Sequence, residues 1–292
     1  MMRVGREIAA SLRDRCWSWL AARSDHLASD AAGATSAFAW LKPFGEIAYV
    51  LAHLPHCAGT AALRAAIVER AERFDWESLA ACDARTFIAL VCAALILEHE
   101  GRDCAAVREA IAHRLRLGAL EGLQCRPYRQ LELYYFLQRA GFGYRAAAVR
   151  RAYARCTVRR RLPAEAFREQ DVYALTHTVW YVTAHGERPA HEVFDEHDLA
   201  HLRRLTPALA SHALARGSVD ALAELLVTAV FLGCADPVLV DRSLALAASN
   251  QADDGSIPVF ADITADGFYA RYHSTLVWGY AAATLAQARS AA

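Results

Sequence analysis

A chain of 292 residues that is 55% hydrophobic can bury a substantial core, and this composition excludes a disordered or fibrous protein. Thirty-two basic residues balance 32 acidic ones, so no overall field draws the protein to nucleic acid or to an acidic membrane surface. Cysteines at 16, 57, 82, 92, 104, 125, 156 and 234 form no C-x-x-C pair, which points to reduced thiols in a cytoplasm rather than a secreted disulfide framework. The first residues carry no apolar h-region, and no run of eighteen uncharged apolar residues occurs, so the expectation is a cytoplasmic protein that neither enters nor binds a membrane.

Ala, Leu, Arg and Glu dominate, with apolar residues three and four apart and Pro or Gly between segments. This pattern predicts helices near 4–23, 44–57, 60–73, 84–100, 103–116, 127–140, 144–156, 170–185, 195–216, 218–233, 236–250 and 273–290. Ser256–Phe260 is the one stretch that approaches a strand pattern. The fold class is all-α. Short links such as Gly101-Arg102, Gly141-Phe142-Gly143 and Ala235-Asp236-Pro237 make antiparallel neighbours. Residues 25–43 read as irregular, with Ser29 to Ser36 mobile, and Gln251 to Tyr272 as a long loop of the functional kind. No Pro/Ser-rich linker divides the chain, so 1–292 reads as one domain.

Helical hairpins in such number stack as an open solenoid or close into an α/α toroid of inner and outer helices. Phe87–Leu97, Leu222–Leu232 and Leu276–Leu285 are apolar nearly all round, as inner helices are, and no fixed repeat period appears; both features favour the toroid, as a barrel or horseshoe.

Gln251-Ala252-Asp253-Asp254-Gly255-Ser256-Ile257 resembles the Gln-x-x-Asp-Gly-Ser-Trp turn of the terpene-cyclase and protein-prenyltransferase toroids, with Ile257 in place of the usual aromatic. Tyr272-His273-Ser274-Thr275 is similar to the inner helix that follows that turn. Asp171 to Tyr181, with its Leu-Thr-His-x-x-Trp-Tyr core, looks like an earlier copy and also resembles a little-characterised bacterial domain associated with natural-product gene clusters. Together these segments span about a fifth of the chain. The resemblance implies a toroid and a tailoring role in specialised metabolism. Its chemistry is not carried over: there is no Asp-x-Asp-Asp acid, Asp253-Asp254 lacks the third acid of a magnesium motif, and Asp14-Arg15-Cys16 stands in the wrong place for a zinc set.

His177 and His273, each among aromatics, are the leading candidates. In a ring both would approach one mouth of the cavity, to act as acid/base groups or to ligate a divalent metal. Asp171 would supply an oxygen ligand or orient an imidazole, and Tyr173 and Tyr272 would line the pocket. The plainer alternative makes each His-Thr or His-Ser step a hydrogen-bonded packing element. His197 and His201 share a helical face with metal-like spacing, yet Asp195, Glu196 and Asp198 read as the acidic first turn of a helix. Glu98-His99-Glu100 is a rim-type carboxylate–imidazole set or a charged helix end. His53 and His56, beside Cys57, have ligand-compatible spacing across Pro55. Lys42, the one lysine, stands with Glu46 beside an aromatic and a turn, as an anion contact or a desolvated nucleophile, or more plainly as an exposed cation. Tyr128, Tyr134, Tyr135, Phe136 and Tyr269 suit a terpenoid wall or simply a core, and Arg159-Arg160-Arg161 reads as a solvated loop.

The functional expectation is a tailoring enzyme acting on a small, partly apolar substrate in a central cavity, with His-based acid/base or metal-assisted chemistry. The alternative is a non-catalytic helical module binding a protein, peptide or small ligand on a concave face. The sequence leaves the oligomeric state and any cofactor open.

Overall fold

The computed structural model describes residues 3–27, 40–56, 58–76, 84–118, 125–143, 146–261 and 266–290. Thirteen α-helices account for most of these residues: α1 (Arg3–Ala21), α2 (Leu41–His53), α3 (Ala61–Arg73), α4 (Ala84–His99), α5 (Ala105–Arg116), α6 (Pro127–Arg139), α7 (Ala146–Ala154), α8 (Glu169–Val182), α9 (Ala190–Val193), α10 (Glu196–Ala215), α11 (Val219–Phe231), α12 (Pro237–Asn250) and α13 (Phe268–Ser290). The only β-type pairing among the described residues is an isolated antiparallel bridge between Ser218 and Phe260. The expected mobile stretch, Ser29 to Ser36, lies outside the described residues.

The chain packs as two compact units, one comprising residues 1–19 and 146–292 and the other residues 20–145. In the second unit α4 is the centre, packed against α2, α3, α5 and α6. Its buried run from Ala89 to Leu97 explains the lack of a polar face in that segment. Gly45 of α2 lets the two backbones approach: a Cβ there would stand 3.3 Å from the Ala89 Cα. Trp40, Phe44, Phe74 and Trp76 close one end in edge-on and tilted contacts.

In the other unit α11 is central, flanked by α8, α10, α12 and α13. Every residue from Val219 to Ala229 is buried. Each fully buried Leu or Val side chain contributes about 1.5–3 kcal/mol, so α11 anchors the unit.

Helix α13 begins at Phe268, five residues before the expected start. Gly267 at φ +97° makes the turn, and Phe268 stacks on Trp19 at 5.7 Å, which favours an extra helical turn. The loop after Asn250 is shorter accordingly, and Tyr272 and His273 stand inside the helix rather than at its entrance.

The Gln251–Ile257 turn is a hydrogen-bonded clamp. Ala252 N–H donates to Ser256 O (2.9 Å) and Gln251 Nε2 to Gly255 O (2.9 Å). Asp254 accepts from the Ser256 hydroxyl (2.7 Å) and from Trp19 Nε1 (2.9 Å), while Arg15 Nη2 donates to Ala252 O (2.6 Å). Thr275 and Ser274 hold the backbone of Ile257 from the α13 side. Asp254 therefore serves the turn and α1. At Gly255 φ is +95° and a Cβ would lie 2.6 Å from Arg15 O, so only glycine fits without displacement. Gly255→Ala is expected to cost about 2–4 kcal/mol, combining backbone strain with overpacking. Urea unfolding of the variant checks this, and a change below about 0.5 kcal/mol would show that the turn does not bind α1 tightly.

Candidate active site

Two acids one turn apart, Asp220 and Glu224, lie in the buried stretch of helix α11 and are 2% and 0% exposed. A buried carboxylate needs partners, because desolvation of an unpaired charge costs several kcal/mol. The partners come from α8 and α13. His273 Nδ1 lies 2.7 Å from one Asp220 oxygen, and the Tyr173 hydroxyl donates to the other. The Thr176 hydroxyl donates to Glu224 Oε2 at 2.6 Å. His177 Nδ1 stands 3.5 Å from that same oxygen, and His273 Nε2 stands 3.7 Å from Glu224 Oε1.

The structure thus brings together His177, His273 and Tyr173, as expected from sequence, around two acids that sequence reasoning missed. Asp220 and Glu224 carry a signal nonetheless: acids at i and i+4 in a helix with no solvated face have nowhere to point except inward.

The hydrogen bonds orient the rings. His177 Nδ1 lies 2.9 Å from Tyr173 O, an acceptor, so in the neutral ring Nδ1 carries the proton and Nε2 is the basic nitrogen. His273 Nδ1 donates to Asp220, which makes Nε2, facing Glu224, the nitrogen that exchanges a proton. Side chains of His177 and His273 are 13% and 23% exposed, so both imidazoles reach solvent. Tyr173 lies edge-on to both rings, with centroids 6.2 Å away. Burial, then the charges of Asp220 and Glu224, push its phenol far above the usual range, so Tyr173 stays a hydrogen-bond donor. His177 stacks on Trp180 at 5.2 Å, and Trp180 Nε1 donates to Thr228 on the next turn of α11.

Tyr272 is buried against Phe268, edge-on to His273, and forms apolar backing for that ring. Asp171 is elsewhere: its carboxylate accepts from Arg168 N (3.1 Å) and caps the start of α8. The orienting acids are Asp220 and Glu224 instead. His185 adjoins the set from the turn after α8, with its Nδ1 2.8 Å from the Tyr280 hydroxyl and φ at +56°.

The remaining sequence candidates disperse. Asp195 caps α10 by accepting from Asp198 N, and His197 and His201 lie beyond it on the same helix. Asp198 is buried and takes the Tyr153 hydroxyl and Arg159, with Arg161 at 3.5 Å, so two residues of the arginine run neutralise a buried acid rather than forming a plain solvated loop. Lys42 pairs with Glu46 at 3.4 Å on an exposed face. Tyr135 and Phe136 are core, and Tyr128 is half-buried beneath Arg129. His53 and His56 part company: His53 engages Tyr49 O (2.8 Å) and the Tyr135 hydroxyl (2.5 Å), whereas His56 faces Glu100. Six cysteines are free among the described residues, and burial raises the thiols of Cys156 and Cys234 to about 11, which keeps them unreactive. No helix among the described residues is long and apolar enough to cross a membrane.

A family model described as a domain of unknown function, DUF6895, matches residues 13–283, and the chain belongs to that family. No curated protein and no solved structure matches it.

Burial pushes His185 down to about 3, and burial with the charges of Arg139 and His99 does the same to His53. Unfolded, both would titrate near 6.5. Between about pH 6.5 and 3 the unfolded chain therefore binds more protons, and stability falls as pH drops through that window. Denaturation at pH 7 and pH 5 is expected to differ by about 4 kcal/mol, about 2 from each histidine, and the His53→Gln/His185→Asn variant should lose most of that difference. An unchanged pH dependence in the variant would contradict the assignment.

Proposed function

We propose that this protein is an enzyme that moves protons on a small, partly apolar molecule, with His177 and His273 as the acid/base pair. The observation that carries this reading is the placement of the two imidazoles on opposite oxygens of one buried carboxylate, Glu224, at 3.5 and 3.7 Å. His177 Nε2 is the nitrogen left for a ligand: when it gives up a proton there, the ring is recharged at Nδ1 through Glu224, which in turn takes a proton from His273 Nε2. Asp220 holds the His273 tautomer, much as an acid orients a catalytic imidazole in hydrolytic triads. The Tyr173 hydroxyl fixes Asp220 and its ring lies edge-on to both imidazoles, and this aromatic surround favours a substrate with an unsaturated or ring-bearing apolar part.

Proton transfer is favoured over metal ligation by these histidines because, among the described residues, the donor atoms of His177, His273, Asp220 and Glu224 form no set of three that lie within 4.8 Å of one another. A tailoring role in bacterial specialised metabolism, in the cytoplasm, is the part of the proposal that rests on the resemblance of Gln251–Ile257 and Asp171–Tyr181 to natural-product proteins. The toroidal arrangement of hairpins is proposed on the same segments.

The test is a search for turnover. The protein is incubated with mixtures of small apolar metabolites in deuterated water, and mass spectrometry follows consumption or deuterium uptake. His177→Ala and His273→Ala are expected to lower the rate about 100- to 10,000-fold while the thermal transition stays cooperative. Wild-type rates in both variants would overturn the assignment.

A further inference from the structure

We propose that His56, His99 and Glu100 form a second site, independent of the His177/His273 cluster, that binds a divalent transition-metal ion of the zinc type. It lies in the unit of residues 20–145, at the exit of α2 and the C-terminus of α4. One donor atom from each residue falls within 4.8 Å of the other two, and among the described residues no other set of three His, Cys, Asp or Glu side chains meets that condition. His56 Nε2 lies 3.1 Å from the Glu100 carboxylate, and His99 Nε2 lies 4.0 Å from it. The two rings are parallel within 3°, with centroids 4.9 Å apart.

Stacked imidazoles gain little from stacking in water, whereas a shared cation would draw both rings and the Glu100 carboxylate to one centre. Two imidazoles and one carboxylate, with a remaining position for water, are a donor set typical of zinc; a hard, all-oxygen ion such as magnesium or calcium would not select it. The side chains of His56 and His99 are 59% and 31% exposed, so an ion can enter from solvent.

The carboxylate is prepositioned. Arg64 is buried and donates to Leu51 O (2.8 Å), Leu54 O (2.7 Å) and Thr60 Oγ1 (3.1 Å), which fixes the backbone that carries His56. Its remaining nitrogen holds Glu100 Oε1 at 2.6 Å. This is the outer-shell support that orients a ligating carboxylate, and it stays anchored by three other bonds when an ion draws on the second oxygen. At the neighbouring position Glu98 turns away to Arg108, so the site presents a single acid.

The experiment uses the full chain, stripped of metal with a chelator and titrated with zinc by calorimetry and with cobalt by visible absorption. One ion per chain is expected, with a rise in melting temperature. His56→Ala and His99→Ala should each weaken zinc about tenfold or more, comparable to losses seen when metal-site residues are removed. The His197→Ala/His201→Ala variant removes the other closely spaced histidine pair and should leave binding unchanged. Absence of binding, binding that survives His56→Ala/His99→Ala, or binding lost in His197→Ala/His201→Ala would each overturn the proposal. None of these variants touches the His177/His273 set, so either site can fail without the other.

Discussion

Two carboxylates inside an otherwise apolar helix are the constraint around which one half of this protein is arranged. Hydrophobic burial brings α8 and α13 against α11, but that force has no direction and does not select a register. Asp220 and Glu224 do. Each acid is satisfied only when Tyr173, Thr176 and His177 on one side and His273 on the other arrive at the same level. Removing a partner from a buried charge costs about 3–5 kcal/mol, so a slip of one residue in either helix is heavily penalised. The requirement that fixes the packing also creates the chemistry, since acids kept in low dielectric beside imidazoles are where proton affinities separate most readily.

The turn that looks most like a family signature has a different task. Asp254, Gly255 and Gln251 bind the N-terminal helix through Trp19, Arg15 and the backbone of α1, and Ser274 and Thr275 tie the following segment to α13. A polar, glycine-bearing turn recurs for mechanical reasons: it closes one helix, meets a neighbouring backbone where no Cβ fits, and feeds the next helix in a set direction. This part of the resemblance is thus anchored in residues that hold structure, while the chemistry-bearing groups are others: His273 beside Ser274 on α13, His177 on α8, and Asp220 and Glu224 on α11.

Most helices were legible because apolar spacing and Gly or Pro punctuation are local signals, and the expected spans from α3 to α6 match the structure to within about two residues. The start of α13 was not legible, since Phe268 becomes helical through its stack on Trp19, a partner far away in sequence. Short α9 offered too few residues for a periodic pattern. At the site, His177, His273 and Tyr173 stood out by residue type and aromatic company. Asp220 and Glu224 were hidden because attention to the apolar character of their helix passes over the two residues that contradict it. Asp171 misled for the opposite reason: an acid close to a histidine in sequence is more readily a helix cap than a partner across the fold. The meeting of His56 with His99 depends on how α2 and α4 pack and has no trace in spacing along the chain.

The account stands or falls on whether the buried acids and the imidazoles act as one interacting set. A double-mutant cycle on Asp220 and His273, with Asp220→Asn, His273→Gln and the pair compared by urea unfolding, measures this directly. The account predicts a coupling energy of about 1–3 kcal/mol. Additivity within about 0.3 kcal/mol would mean that the two groups share a space without sharing a function, and the relay through Glu224 would lose its foundation.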